Sequence, residues 1–63
     1  MVVFETKSGT VYSLDTEKNI LNGGHFHDLK YYNANVFIGQ QAIIALDKDF
    51  KKLIYTSKVE RFL

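Results

Sequence analysis

The chain has 63 residues and no cysteine, so it has room for one domain and can hold neither a disulfide framework nor a thiolate metal site. Eight Lys and Arg against seven Asp and Glu give a net charge of +1, too close to neutral to indicate a polyanionic partner. A hydrophobic fraction of 46% is enough to fold such a chain without a cofactor. We therefore expect residues 1–63 to form one small domain that contains no cofactor and no metal.

The opening segment predicts two strands that fold back on a three-residue turn, Lys7-Ser8-Gly9. With Gly9 in the left-handed position, Phe4 faces Tyr12 and Val2 faces Leu14, so these four side chains form one apolar face. A two-residue turn would instead place charged and hydroxyl side chains opposite aromatic rings. The sequence therefore predicts the three-residue turn and assigns the apolar face to the core.

The next twenty residues contain short predicted elements between turns. Asp15–Asn19 is a polar turn, Ile20-Leu21 belongs to a third strand, and Asn22-Gly23-Gly24 ends it, because these residues tolerate positive φ. Residues 25–33 have no clean period at two or 3.6, and their weak alternation favours an exposed strand or a structured loop over a helix. Asn33-Ala34-Asn35 is predicted to be another turn.

The last third of the chain predicts further strands. Val36–Ile38 and residues 41–46 are expected to be strands, the second of them buried, and Asp47–Lys51 is expected to be a charged hairpin loop before a strand over residues 52–56. For residues 57–63 two alternatives remain open. A capping box between Ser57 and Glu60 fits a short helix, whereas a last strand beside the first would cover an open sheet edge, and we favour the strand.

Short strands separated by frequent turns predict a mainly β fold, either a small single-domain β-barrel or a curved antiparallel meander, with a short terminal helix as an alternative. An SH3-like barrel is the nearest familiar shape. The longest apolar run, Ala42–Leu46, is far shorter than the roughly 20 residues that cross a membrane. The first residues lack a basic leader and an apolar stretch, so we expect no secretory signal, no membrane partner and a cytoplasmic location.

One segment has the residue types of a metal site. His25 and His27 are two apart, which on a strand would direct both imidazoles to one side, with Asp28 as a candidate third ligand. The alternative interpretation is two surface histidines beside a glycine turn, and we favour it. We therefore predict no metal site.

Phe26, Lys30, Tyr31 and Tyr32 form a mixed aromatic and basic group, and three lysines of a separate loop supply more positive charge. Such combinations can stack bases on rings while lysines contact phosphates. A nucleic-acid-binding barrel is accordingly the alternative function, and its candidate contacts are Lys30, Tyr31, Tyr32, Lys48, Lys51 and Lys52. Asp28, Asp47 and Asp49 lie among these lysines and weaken the positive field.

No pattern in the chain predicts an enzyme. Its serines have no nucleophile-elbow surroundings, and Gly23-Gly24 is not followed by the lysine-serine pair of a phosphate loop. We therefore predict a protein without catalytic residues.

The motifs at both ends of the chain carry a family resemblance. Thr6–Asp15, Val36–Gly39 and Thr56–Val59 resemble segments of small proteins encoded by bacteriophages and prophages. The resemblance implies an accessory role in a bacterial host, in which a small domain binds and blocks host or competitor machinery. It implies no functional residue.

The leading functional hypothesis is a non-enzymatic binding protein of phage or prophage type, with inhibition of a host enzyme or defence complex as its expected action. Aromatic residues are enriched at the centres of protein interfaces, and the irregular segment after Gly24 is rich in them. Its predicted partner-binding residues are His25, Phe26, His27, Lys30, Tyr31 and Tyr32. Self-association through strand edges is a third hypothesis, because a core this small benefits from a partner copy.

Overall fold

The computed structural model describes residues 1–63 and shows an all-β domain of seven strands. The strands are β1 (Val2–Thr6), β2 (Val11–Asp15), β3 (Ile20–Gly23), β4 (Phe26–Lys30), β5 (Asn33–Asn35), β6 (Gln41–Ala45) and β7 (Leu53–Phe62). They form one antiparallel sheet in the order β4-β3-β2-β1-β7-β6-β5. The prediction of a small mainly β domain is confirmed.

The opening hairpin has the predicted register. Phe4 pairs with Tyr12 and Val2 with Leu14, and Gly9 has a φ of 89°. The rings of Phe4 and Tyr12 are stacked with their centroids 5.4 Å apart. Phe4 and Leu14 are buried, and Val2 and Tyr12 pack against them, so the predicted apolar face lies in the core.

The last strand is ten residues long and joins the two halves of the sheet. Its first part, up to Lys58, pairs with β6, and its second part, from Val59, pairs with β1. The two buried threonines beside this crossover are both hydrogen-bonded, since Thr56 Oγ1 accepts from the Ala42 N–H at 3.1 Å and Thr6 Oγ1 bonds to Ser8 Oγ at 2.9 Å. The expected strand over residues 57–63 is confirmed, and the alternative terminal helix is wrong.

The sheet is strongly curled, but it is not closed into a barrel. Strands β4 and β5 are its two edges, yet only Tyr31 and Tyr32 connect them along the chain. In a flat sheet six strand spacings of about 4.8 Å would separate the edges by about 29 Å, whereas a two-residue link reaches at most about 11 Å. The sheet must therefore roll up until its edges approach. The predicted barrel is corrected to this open sheet, because β4 and β5 do not pair.

The predicted elements between residues 33 and 38 are wrong. Asn33–Asn35, expected to be a turn, is β5, and its Ala34 pairs with Ile44 of β6. Val36–Ile38, expected to be a strand, has only an isolated bridge from Ile38 to Val59. Phe37 and Ile38 are each 60% exposed, so their β-forming side chains gain little burial from a ladder at this place.

Two other predictions need adjustment. Strand β6 is half-buried and alternates, because Ala42 and Ile44 point inward while Gln41 and Ile43 point outward. In β4 the expected exposed strand is confirmed over Phe26–Lys30, but its alternation is interrupted, since the β3–β4 register shifts and Asp28 has a φ of 49°.

Candidate binding pocket

A concave pocket opens between the edge strand β5 and the ends of β1, β2 and β7. It has a volume of about 440 Å³, within the range of roughly 300–1,000 Å³ that ligand pockets occupy. Most of its lining is apolar and no lining residue is charged. The lining consists of Val2, Leu14, Thr16, Asn19, Tyr31, Tyr32, Asn33, Ala34, Val36 and Phe62.

The two tyrosines of the β4–β5 link lie at this pocket, but their environments differ. The Tyr31 N–H donates to the Asn19 carbonyl at 3.0 Å, and the Tyr32 N–H donates to the Ala45 carbonyl at 2.7 Å. The link is therefore bonded to the β2–β3 turn on one side and to β6 on the other. Tyr31 is 8% exposed and belongs to the core, whereas Tyr32 is 56% exposed.

The phenol of Tyr31 is held in its neutral form. Burial raises its pKa above the ordinary value of 10, and the negative charge of Asp15 raises it further. The pKa of the phenol is about 10 in the unfolded chain and higher in the folded one, so at neutral pH it is protonated in both states and adds no pH dependence of stability. As the pH rises past 10, the unfolded chain loses this proton first, so the folded state is increasingly destabilised.

This linkage predicts a pH-dependent difference between the wild type and Tyr31→Phe. The free energy of unfolding of the wild type should fall more steeply above pH 10 than that of Tyr31→Phe, with parallel curves between pH 6 and 9. Urea unfolding monitored by circular dichroism at several pH values measures the difference. Parallel curves up to pH 11 would show that the phenol does not titrate differently in the folded state.

The other predicted partner-binding residues lie away from the pocket. His25 and His27 are exposed, Phe26 is half-buried against the core, and Lys30 is exposed at the end of β4. None of these four lines the pocket. The structure thus places two of the six predicted contact residues, Tyr31 and Tyr32, at one site.

The histidine pair has no set of ligands around it. His27 Nε2 lies 3.4 Å from Asp28 Oδ2, and both side chains are largely exposed. No group of three or more His, Cys, Asp or Glu side chains is close enough to hold a metal ion.

The predicted nucleic-acid contacts are partly brought together. Lys48, Lys51 and Lys52 occupy the loop between β6 and β7, and Phe50 of the same loop meets the Tyr32 ring edge-on with centroids 6.1 Å apart. The carboxylate of Asp47 accepts from the Lys51 N–H at 2.8 Å, which holds the loop in shape. Tyr31, in contrast, is too buried to stack on a base.

Sequence reasoning missed most of the pocket lining. Val2 and Leu14 were predicted to be core residues only, and they also form part of the pocket wall, where Phe62 joins them. The available signal was the predicted last strand beside the first, and in the structure β7 pairs with β1 and places Phe62 opposite Phe4, two residues from Val2. Ala34 and Val36 carried no signal, because their segment was assigned to the wrong elements.

Comparison with protein-family models, with curated proteins and with solved structures finds no match. No helix of the structure could span a membrane. The fold and the pocket define a small all-β domain with one apolar concave site.

Proposed function

We propose that the protein is a binding module that captures another protein by taking one of that protein's apolar side chains into the pocket. The observation that carries this proposal is the open cavity of about 440 Å³, whose lining is mainly apolar. Exposed concave apolar surface beside aromatic rings is typical of the anchor sites of interfaces. The lining has no carboxylate, imidazole or thiol, which favours binding over catalysis.

The sequence resemblance supports a biological setting for this proposal. Both ends of the chain resemble small phage and prophage accessory proteins, which act by binding host machinery. The proposed partner is accordingly a host enzyme or defence complex in the bacterial cytoplasm, which the bound module inhibits.

A second candidate function is nucleic-acid binding. Tyr32 is 56% exposed and Phe50 is 49% exposed, their rings are in contact, and three lysines lie in the Phe50 loop. Two half-exposed rings beside lysines can stack on bases of a single strand. Asp47 and Asp49 in the same loop reduce its net positive charge, so this candidate ranks second.

Affinity capture from a bacterial lysate, with and without nuclease, tests both candidates. We expect the wild type to retain a specific protein after nuclease treatment, and Tyr32→Ala to reduce its retention by about tenfold, since a well-packed interface aromatic contributes more than about 1 kcal/mol. Tyr55→Ala is the matched control, because Tyr55 is 57% exposed and does not line the pocket. It should retain the protein within about twofold of the wild type.

Three outcomes would contradict the proposal. Equal retention by Tyr32→Ala and the wild type would remove the pocket from the interface. Loss caused by Tyr55→Ala alone would place the partner on the outer face of β6 and β7, where Tyr55 pairs with Ile43. Loss of all specific retention after nuclease would favour the nucleic-acid candidate.

A further inference from the structure

The backbone of β5 has a free hydrogen-bonding side at the pocket. Successive main-chain groups at the end of β6 face opposite neighbours. The Leu46 N–H donates to the Lys52 carbonyl on the β7 side, whereas the Ala45 carbonyl accepts from the Tyr32 N–H on the β5 side. Because these groups alternate along an antiparallel ladder, Ala45 and Ile43 exchange hydrogen bonds with Asn33 and Asn35. The N–H and C=O of Ala34, between them, therefore point away from β6 toward the open edge.

The two edges of the sheet differ in how well they are protected. At β4 the register with β3 shifts and Asp28 takes a positive φ. The Asp28 N–H donates to Asn22 Oδ1 at 2.8 Å, and the exposed side chains of His27 and Lys30 lie on the same strand. Bulges and charged side chains are the usual means of preventing strand addition. The β5 edge carries no charge, and its register with β6 does not shift over Asn33, Ala34 and Asn35.

The free edge and the pocket form one continuous surface. Tyr32, Asn33, Ala34 and Val36 all line the pocket, and the Ala34 side chain packs against the core. A residue paired with Ala34 on an added strand would have its side chain on the same face as Ala34. That side chain would enter the pocket, while its two neighbours along the added strand would point to the opposite face.

We propose that the partner is an extended peptide segment that adds as a strand to β5, pairs its main chain with Ala34 and places one large apolar side chain in the pocket. This inference rests on the proposed function and specifies the mode of recognition. Main-chain pairing supplies affinity in such complexes, and the pocket supplies sequence preference. The net charge of the β5 edge is zero, so recognition depends on hydrogen bonding and apolar burial.

The substitution Ala34→Pro tests the main-chain contact. Proline removes only the N–H that faces the open edge, and edge strands tolerate proline at such positions. The probe is a library of random linear peptides of about twelve residues displayed on phage and selected on the wild type. We expect enriched peptides to share one large apolar residue, and to bind Ala34→Pro about tenfold more weakly than the wild type.

Amide exchange provides a second measurement that does not depend on the folding of the variant. In the free wild type the Ala34 amide should exchange rapidly, and a saturating selected peptide should slow it at least about tenfold. The Ile44 amide, which β7 pairs in both states, should change little.

The possible results separate the two proposals. Selected peptides could lose affinity for Tyr32→Ala but bind Ala34→Pro as tightly as the wild type and leave the Ala34 amide unprotected. That result overturns strand addition and leaves the pocket proposal intact. Failure to enrich any peptide overturns strand addition, while the lysate capture tests the pocket separately. The Ala34 amide could already be protected in the free protein, together with a doubled mass by light scattering. That result shows that β5 pairs with a second copy of the chain, and it also overturns the addition of a partner strand.

Discussion

Replacing Phe4 with alanine is expected to lower the free energy of unfolding by about 3–5 kcal/mol, the usual cost of removing a buried phenylalanine ring. Phe4 is fully buried, stacks on Tyr12 and lies in a strand that is paired on both sides. A domain of 63 residues has a total stability of about 3–9 kcal/mol at roughly 0.05–0.15 kcal/mol per residue. The variant should therefore lose at least about a third of the total stability, so its midpoints of urea and thermal unfolding should lie well below those of the wild type.

The matched control for this prediction is Phe37→Ala. Phe37 is 60% exposed and lies outside the strands, so its truncation should change the free energy of unfolding by less than about 0.5 kcal/mol. A similar loss of stability in both variants would show that Phe37 is covered in solution, for example by a second copy of the chain. A small loss in Phe4→Ala would contradict the position of the core.

Replacing Gly23 with alanine is expected to cost about 2–5 kcal/mol. Gly23 has a φ of 128°, and a Cβ there would lie 2.4 Å from the Val11 carbonyl oxygen and 2.7 Å from the Tyr12 Cα. Both obstacles are backbone atoms of the neighbouring strand, so β2 and β3 would have to separate. The estimate combines about 1–3 kcal/mol for overpacking with about 1–2 kcal/mol for an unfavourable backbone conformation.

Gly9→Ala separates these two contributions. Gly9 also has a positive φ, of 89°, but a Cβ there meets no atom within 4 Å. It should cost only the conformational part, about 1–2 kcal/mol. Equal midpoints of urea unfolding for the two variants would contradict the close approach of β2 and β3 at Gly23.

The parts of the fold predicted correctly from the sequence are those in which neighbouring residues decide the structure. The three-residue turn at Gly9 sets the register of the first hairpin, and a shift by one residue would have moved Phe4 to the other face. The charged loop between β6 and β7 is likewise local, because the Asp47 carboxylate bonds main-chain N–H groups of its own loop.

The segment from Asn33 to Ile38 shows where local preference is insufficient. Its asparagines favour turns and its branched and aromatic residues favour strands, yet the structure has the reverse arrangement. The hydrogen bonds of Tyr31 to Asn19 and of Tyr32 to Ala45 position the chain so that Asn33–Asn35 lies beside β6. Asn19 and Ala45, which accept these hydrogen bonds, are both distant in sequence from β5, the strand that they position.

The candidate site was predictable only in part. Adjacent aromatic residues in an irregular segment singled out Tyr31 and Tyr32, which line the pocket, but the same reasoning also selected His25 and His27, which do not. Tyr31 is a core residue, so its truncation would disturb the fold as well as the pocket. Tyr32 alone is suitable for a binding test.

The sequence by itself determined the class of fold, the register of the first hairpin and the apolar face that enters the core, because short-range turn chemistry and alternation act between near neighbours. Only the tertiary structure decided that the sheet stays open, that β5 is an edge with the free main chain of Ala34, and that Val2, Leu14 and Phe62 share one pocket. These features depend on how far the sheet curls, and the two-residue link between its opposite edges requires that curvature.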